Sequence, residues 1–527
     1  MKKLFGFLEK YWAYLLLFAA WLPATFYNTK IYWMLVDDGY NVVFSRTLFE
    51  KLTSLNIAGF FSQLLEAGGR FRPVYWIYHM LVWIIGRNSF QFHHLVHMLV
   101  IGLTIYFIYR ILHKLTESKT ISFLGAITYL LIPINSENIL RLGPQEPLVA
   151  LFLSIYFYLI IEGKRKILPI LFLFLAIFTK ETSVAILPVV ILYYLLSKTI
   201  KSSKIKTLSI YSVVSVCVFS LLTIIITTVN RSGYSTNYIF DQNIILHNFL
   251  VFTREISIHT LYLFPLIPVL YIGRLVASYI RKRKMLSSKA DLFELVFFSG
   301  FVVFMVIQLP WKYDLTRYLM PSIFFLITFT FIEINNLLKM FRNNRFVINH
   351  KRILKTIVIT VCIYVFSIWG IVLLSKERNF VSYRNLTSRL AELPRNTLIL
   401  VNTYEGEASM EIVDEISIHL SEFWGRTDME VQYLDTSRMP GVNYVILSTN
   451  RIPPKYSEQE LTSRFGDKIY TVENRSKEII VTTPLELIKQ TATKVTQLIV
   501  YRKPFTFEGI YTFYLNNNKW DIYSQNK

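Results

Sequence analysis

Asp37 and Asp38 stand side by side directly after the first strongly apolar stretch of the chain. A charged pair at a membrane edge is costly unless it faces water or a site, so it points to chemistry there. Further along come Arg70 and Arg72 with Tyr75 and Trp76, then Gln145-Glu146-Pro147, Lys180-Glu181, and Tyr313 with Arg317. A carboxylate in such a set can take the proton of an acceptor hydroxyl or hold a divalent ion. Arg and Lys can neutralise a phosphate leaving group, Arg bidentately. Tyr and Trp at membrane depth can stack on a sugar or a lipid head. The combination points to transfer of a group from a lipid phosphate.

Such residues need a scaffold, and composition says which kind. Of the 527 residues 53% are hydrophobic, 16% aromatic and only 17% charged, a balance that a soluble chain of this size does not carry. Apolar runs near the ~20-residue spanning length recur. We expect about eleven transmembrane helices, at 11–27, 89–110, 120–134, 147–161, 167–179, 184–196, 207–229, 260–273, 292–309, 318–338 and 353–374. The retained first helix is preferred over a signal peptide, because no small-x-small cleavage site follows it.

Charge gives the orientation. The net charge is +21, yet residues 376–527 hold 19 basic and 19 acidic side chains, so the excess belongs to the membrane part. Alternate loops carry it: Lys2 to Lys10, Arg110–Lys119, Lys164–Lys166, Lys198–Lys206, Arg274–Lys289 and Lys339–Lys355. The positive-inside rule puts these loops in the cytoplasm and the chemistry-bearing loops outside. Basic runs flanking spans are ordinary topology signals, so nucleic acid is excluded as a partner. Within the first outer loop, 28–88, residues 40–66 are amphipathic. Pro73–Gly86 is apolar but too short to span, which suits interfacial helices.

The order of these motifs resembles the GT-C class of integral-membrane glycosyltransferases, specifically the superfamily of protein O-mannosyltransferases and the lipid A aminoarabinose transferase. The resemblance covers about residues 1–375 and rests on five motifs. They are Asp37-Asp38 after helix one, Arg72-Pro73, Gln145-Glu146-Pro147, Phe178-Thr179-Lys180-Glu181, and Tyr313 with Arg317-Tyr318 and Pro321. It implies a polyprenyl-phosphate sugar donor, an inverting displacement at an outward-facing site, and an acid of the first loop as base. Carried over, Asp37 or Asp38 is the catalytic base. Arg72 and Lys180 contact the donor phosphate, with Arg70 and Arg317 as further candidates. Glu146 lines the acceptor side, where Glu181, Tyr75, Trp76 and Tyr313 are substrate-binding candidates. Phe71 stands where some relatives have an acid, which puts a metal at that point in question. A divalent cation is the one cofactor considered, and its ligands stay open.

Each residue also has a bland role. The acidic pair could cap the next helix. Arg70 and Arg72 could be interfacial anchors, Lys180-Glu181 a charged helix end, Glu146 an exposed loop acid and Arg317 a helix cap. His79, His93, His94 and His97 resemble a metal cluster, but interfacial histidines are common. Glu333 reads as interfacial, and Cys217 and Cys362 as small residues packed within spans.

From about Lys376 the pattern changes to short β-rich runs at 397–401, 431–434, 443–447, 468–472, 478–481 and 509–515. Helical patterns cover 407–423 and 457–465, and Pro453-Pro454 and Asn516–Asn518 mark loops. Residues 376–527 thus read as a soluble α/β or α+β accessory domain outside the cytoplasm. The expected activity is transfer of a sugar from a polyprenyl-phosphate donor to a lipid, glycan or protein acceptor, at the outer face of a membrane, expected to be the bacterial cytoplasmic one. A glycolipid transporter or flippase, or a non-catalytic assembly protein for envelope glycans, is the alternative. A transporter calls for helices broken at mid-membrane, whereas the polar residues here lie at helix ends.

Overall fold

The computed structural model describes residues 2–33, 38–66, 71–163, 167–197, 203–229, 239–259, 263–282, 289–312, 316–342, 383–404, 407–434, 444–449, 454–481 and 511–524. Asp37, Arg70, Tyr313, Cys362 and the expected span 353–374 lie outside these residues.

The apolar runs become helices: α1 (Lys2–Asn28), α5 (Phe90–Thr116), α6 (Lys119–Leu131), α8 (Glu146–Glu162), α9 (Ile167–Thr179), α10 (Ile186–Ser197), α11 (Ser203–Val229), α13 (Leu263–Lys282), α14 (Lys289–Val306) and α15 (Met320–Arg342). Among the described residues, Phe90–Thr116, Thr207–Ile226 and Thr316–Met340 are each long and apolar enough to cross a membrane. Five shorter apolar helices accompany them. α5 sits centrally, packing against α1, α6, α8 and α15. Phe157 of α8 meets Phe297, Phe324 and Phe325 from α14 and α15 in one aromatic knot. On α11 the stripe Val214, Val218, Leu221 and Ile225 is exposed instead. An apolar stripe exposed at that helical spacing suits hydrocarbon rather than water. Cys217 is also exposed, so the expectation of a packed cysteine fails for it.

Within the stretch expected to be the first outer loop lie α2 (Asp38–Thr53), α3 (Ile57–Glu66) and α4 (Pro73–Gly86), close to the expected interfacial segments. Pro73 opens α4, where a missing N–H costs nothing. The short α7 (Ser136–Leu140) precedes α8, and α12 (Gln242–His259) lies in the stretch 230–259 that reads as a loop. Its Asn248 donates to the carbonyls of Leu309 and Trp311, which fastens the helix beneath the turn after α14.

Two charges sit differently from expectation. Glu333 is fully buried rather than interfacial, and Arg274 lies within α13 rather than in a cytoplasmic loop. The reason is shared. The Arg274 guanidinium contacts Glu333 at 2.8 Å and Glu294 at 2.5 Å, both carboxylates being fully buried. Buried acids need a paired cation, so α13 continues far enough to supply one.

The C-terminal unit comprises a helix over residues 383–391 (α16), β1 (Leu398–Val401), α17 (Glu407–Ile418) with a wide π turn to Phe423, β2 (Glu430–Tyr433), β3 (Tyr444–Thr449), α18 (Glu458–Phe465), β4 (Lys468–Val481) and β5 (Tyr511–Ser524). The sheet order is β2-β1-β3-β5-β4, with β1 parallel to β2 and β3, and β5 antiparallel to β3 and β4. Strand alternation splits two cores. Ile399, Val401, Val445 and Leu447 face α16 and α17, while Leu400, Tyr444 and Ile446 face α18. The runs 468–472 and 478–481 prove to be one strand, and Asn516–Asn518 lie inside β5 rather than in a loop. They are opposite Ser476, Arg475 and Asn474, so a continuous antiparallel ladder overrides the weak strand propensity of Asn.

Candidate active site

α2 begins at Asp38, which is fully buried. Its Oδ1 accepts a hydrogen bond from the Gly143 amide at 3.1 Å. The Gly143 carbonyl accepts from the Tyr75 hydroxyl at 2.7 Å and from Gln145 Nε2 at 3.2 Å. Tyr75 also meets the Asn41 side-chain amide at 3.1 Å. One phenolic proton cannot serve two acceptors, so Asn41 fits with its nitrogen donating to the Tyr75 oxygen. The turn before α8 is thereby tied to α2 and α4. Tyr75 and Trp76, expected to stack on substrate, are buried and serve this seam. Trp76 packs on Phe44 at 4.0 Å between ring centres.

Arg72 precedes Pro73 and is mostly buried, its guanidinium 5.4 Å from the Tyr75 ring and 5.2 Å from the Trp76 ring. Burial raises the Tyr40 phenol, opposed by the Arg72 charge nearby. Phe71, beside Arg72, meets Phe178 edge-on at 5.4 Å. Phe178 lies in the last turn of α9, two residues before Lys180, so the segments that carry the two basic residues assigned to the donor phosphate touch through this ring pair. Lys180 is buried and ion-paired with Glu146, itself 1% exposed at the start of α8. The expected donor-side base and acceptor-side acid are therefore direct partners, and Glu146 is no exposed loop acid. Glu181 opens the 3-10 turn that follows, with its Oε2 buried and unpartnered among the described residues.

Tyr318 joins this group to the late helices. Lys180 Nζ lies 4.1 Å from its ring centre and the Arg317 guanidinium 5.4 Å. Arg317 pairs with Glu137 at 3.0 Å, and the same Glu137 oxygen takes Arg141 at 2.6 Å. Asn138 donates to the Arg317 carbonyl at 2.6 Å. Glu137, Gly143 and Tyr318 were not singled out as site members from the sequence, although Tyr318 belongs to one of the five motifs read there. Among the described residues no group of three or more His, Cys, Asp or Glu is placed to hold a metal ion. His97 instead contacts the Asn138 carbonyl at 2.8 Å, and His93 the Arg87 carbonyl at 2.8 Å.

The C-terminal unit reaches the same place. Glu415 of α17 accepts from the amides of Gly39 and Tyr40 at 3.2 and 3.3 Å. Glu422 pairs with Arg46 at 2.5 Å, and its carbonyl accepts from Asn88 at 3.0 Å. Phe423 stacks on Trp33 at 5.0 Å with the planes 10° apart. Burial pushes the Tyr32 hydroxyl up to about 12, against the pull of Arg384.

Comparison with known proteins bears on the fold. Residues 73–227 match the family described as dolichyl-phosphate-mannose-protein mannosyltransferase. No curated protein matches the chain. Two solved structures of ArnT from Cupriavidus metallidurans share the fold. The one bound to undecaprenyl phosphate has a TM-score of 0.50 at 11% identity, covering 97% of this chain and 98% of the other. The apo form has a TM-score of 0.51 at 13% identity, covering 87% and 95%. The family match is confined to residues 73–227, and the fold likeness extends over nearly the whole chain.

Proposed function

We propose that this protein moves a sugar from a polyprenyl-phosphate carrier to an acceptor at the outer face of the membrane, by inverting displacement with an acid of the Asp37-Asp38 pair as base. The observation that carries this reading is the meeting of four separate chain segments. Asp38 is tied through Gly143 to the turn bearing Glu146, which pairs with Lys180, while Phe71 against Phe178 brings Arg72 to the same end of the bundle. A like-folded protein solved with undecaprenyl phosphate supports the donor class. Lys180 and Arg72 meet the phosphate of the carrier, and Glu146 yields Lys180 to it or turns to the acceptor. About eleven spans place residues 1–375 in the membrane, with the basic loops in the cytoplasm and the C-terminal unit outside. Mass spectrometry of envelope glycans and lipids, with the protein present and deleted, tests this directly. Loss of one sugar modification and accumulation of its lipid-linked donor is expected. Identical glycans and lipids would refute it.

A further inference from the structure

The first amides of a helix have no partner within it and need one from outside. In α2 the Gly39 and Tyr40 amides are the two that a local capping side chain would take. They are bonded instead to Glu415, a residue from the other end of the chain. Glu415 thus gives these two amides an acceptor from outside the helix. Asp38 turns its oxygen to Gly143 instead. Gly39 makes the arrangement possible, because a Cβ there would come within 2.4 Å of Glu415 Oε2 and 2.8 Å of Ile418 Cγ2. The chain on the other side of the acidic pair is held by the same unit, through Phe423 stacked on Trp33.

We propose that Glu415 is a positioning residue for the reaction: it fixes the first turn of α2, and with it the orientation of the catalytic acids. The C-terminal unit is then a working part of the site and not an appendage. This rests on the function proposed above. A carboxylate on two helix amides is a charge-assisted contact whose removal loosens the turn. A misplacement near 1 Å costs about 10²-fold in rate, while binding of the carrier phosphate by other residues stays intact.

The test uses the full chain in lipid nanodiscs and in cells, with Glu415→Gln and Gly39→Ala as variants. Gly39→Ala displaces Glu415 from the opposite side. Three readouts are compared: hydrogen exchange across residues 38–45, binding of undecaprenyl phosphate, and the sugar transferred to envelope acceptors. Both variants are expected to exchange faster in the first turn of α2 and to lose about 10²-fold in transfer, while binding undecaprenyl phosphate as the wild type does. Unchanged exchange overturns the proposal. So does wild-type transfer with faster exchange, or carrier binding lost in step with transfer, which would mark a general structural role. If single Asp37→Asn and Asp38→Asn variants both transfer normally, the catalytic reading beneath it fails, whatever exchange shows.

Discussion

Lys180 and Glu146 form a buried ion pair that joins the turn after α9 to the first residue of α8. Removing one member of such a pair strands a charge and typically costs about 3–5 kcal/mol, whereas neutralising both costs far less. Lys180→Met and Glu146→Gln should therefore each destabilise the protein. The double variant should recover most of that stability in a thermal melt. Transfer should stay low in the double variant, because the carrier phosphate has lost its cation. Recovery of transfer along with stability would make the pair purely structural.

For the acidic pair, replacement by Asn isolates the charge. Asn at position 38 still presents an oxygen to the Gly143 amide, so folding should survive despite full burial. A base substitution should lower turnover by about 10²–10⁴-fold. Single-turnover transfer by each variant separates the two acids. The base loses the proton-transfer step, and its neighbour shows a smaller, geometric loss.

The extent to which the sequence disclosed this arrangement follows from the kind of signal each part leaves. Long apolar runs and alternating strands write themselves locally, so most helices and β1 to β3 were legible from 3.6- and 2-residue periods. Asp38, Arg72, Glu146 and Lys180 stood out because charge is scarce in such a chain. Their pairing was not legible, since Lys180 meets Glu146 only through the packing of α8 on α9. Arg274 shows the same limit. It sat in a basic run that looks like a topology signal, and only the fold brings Glu294 and Glu333 to it. Glu415 was invisible for the same reason, being one acid among many in a balanced domain.

The Arg274 cluster gives a stability prediction. Arg274→Met leaves two fully buried carboxylates without their shared cation and should cost about 3–5 kcal/mol. Adding Glu294→Gln and Glu333→Gln should restore much of the loss. The measurement is thermal unfolding in detergent or nanodiscs, and a single variant as stable as wild type would show that the cluster carries no such weight.

In the C-terminal unit, the Arg426 guanidinium beside Asp428, helped by the Asn396 amide, holds the Asp428 carboxyl well below the usual carboxylate range. Arg426 also donates to the carbonyls of Ala391, Leu393 and Pro394, so the pair anchors the link from α16 to β1. A depressed folded pKa stabilises fully above the ordinary value near ~4 and is lost as pH falls below it. The protection of β1 and β2 amides against hydrogen exchange, corrected for the intrinsic pH dependence of exchange, should thus fall in acid for the wild type. Asp428→Asn should exchange faster at neutral pH and change less on acidification. Parallel pH curves for the two proteins would show that this pair does not govern the acid response.

Topology underlies the site proposal, because acids, phosphate-binding bases and C-terminal unit must share one side of the membrane. Glu415 and Glu422 contact Gly39 and Arg46 directly, so α17 and α2 must lie in the same compartment. The basic loop 198–206, by the positive-inside rule, lies in the other. Single cysteines at Gln459, exposed on α18, and at Ser203 at the start of α11 report the two sides. The background carries Cys217→Ala and Cys362→Ala, which removes both native thiols. Gln459 is preferred to Ser457, whose side chain caps α18 and would be lost on replacement. A membrane-impermeant maleimide should label Gln459→Cys in intact spheroplasts, and Ser203→Cys only after the membrane is opened. Labelling of both before lysis would place the basic loop outside and break the span count, and the reverse order would put the acidic pair on the side away from any outward-facing lipid carrier.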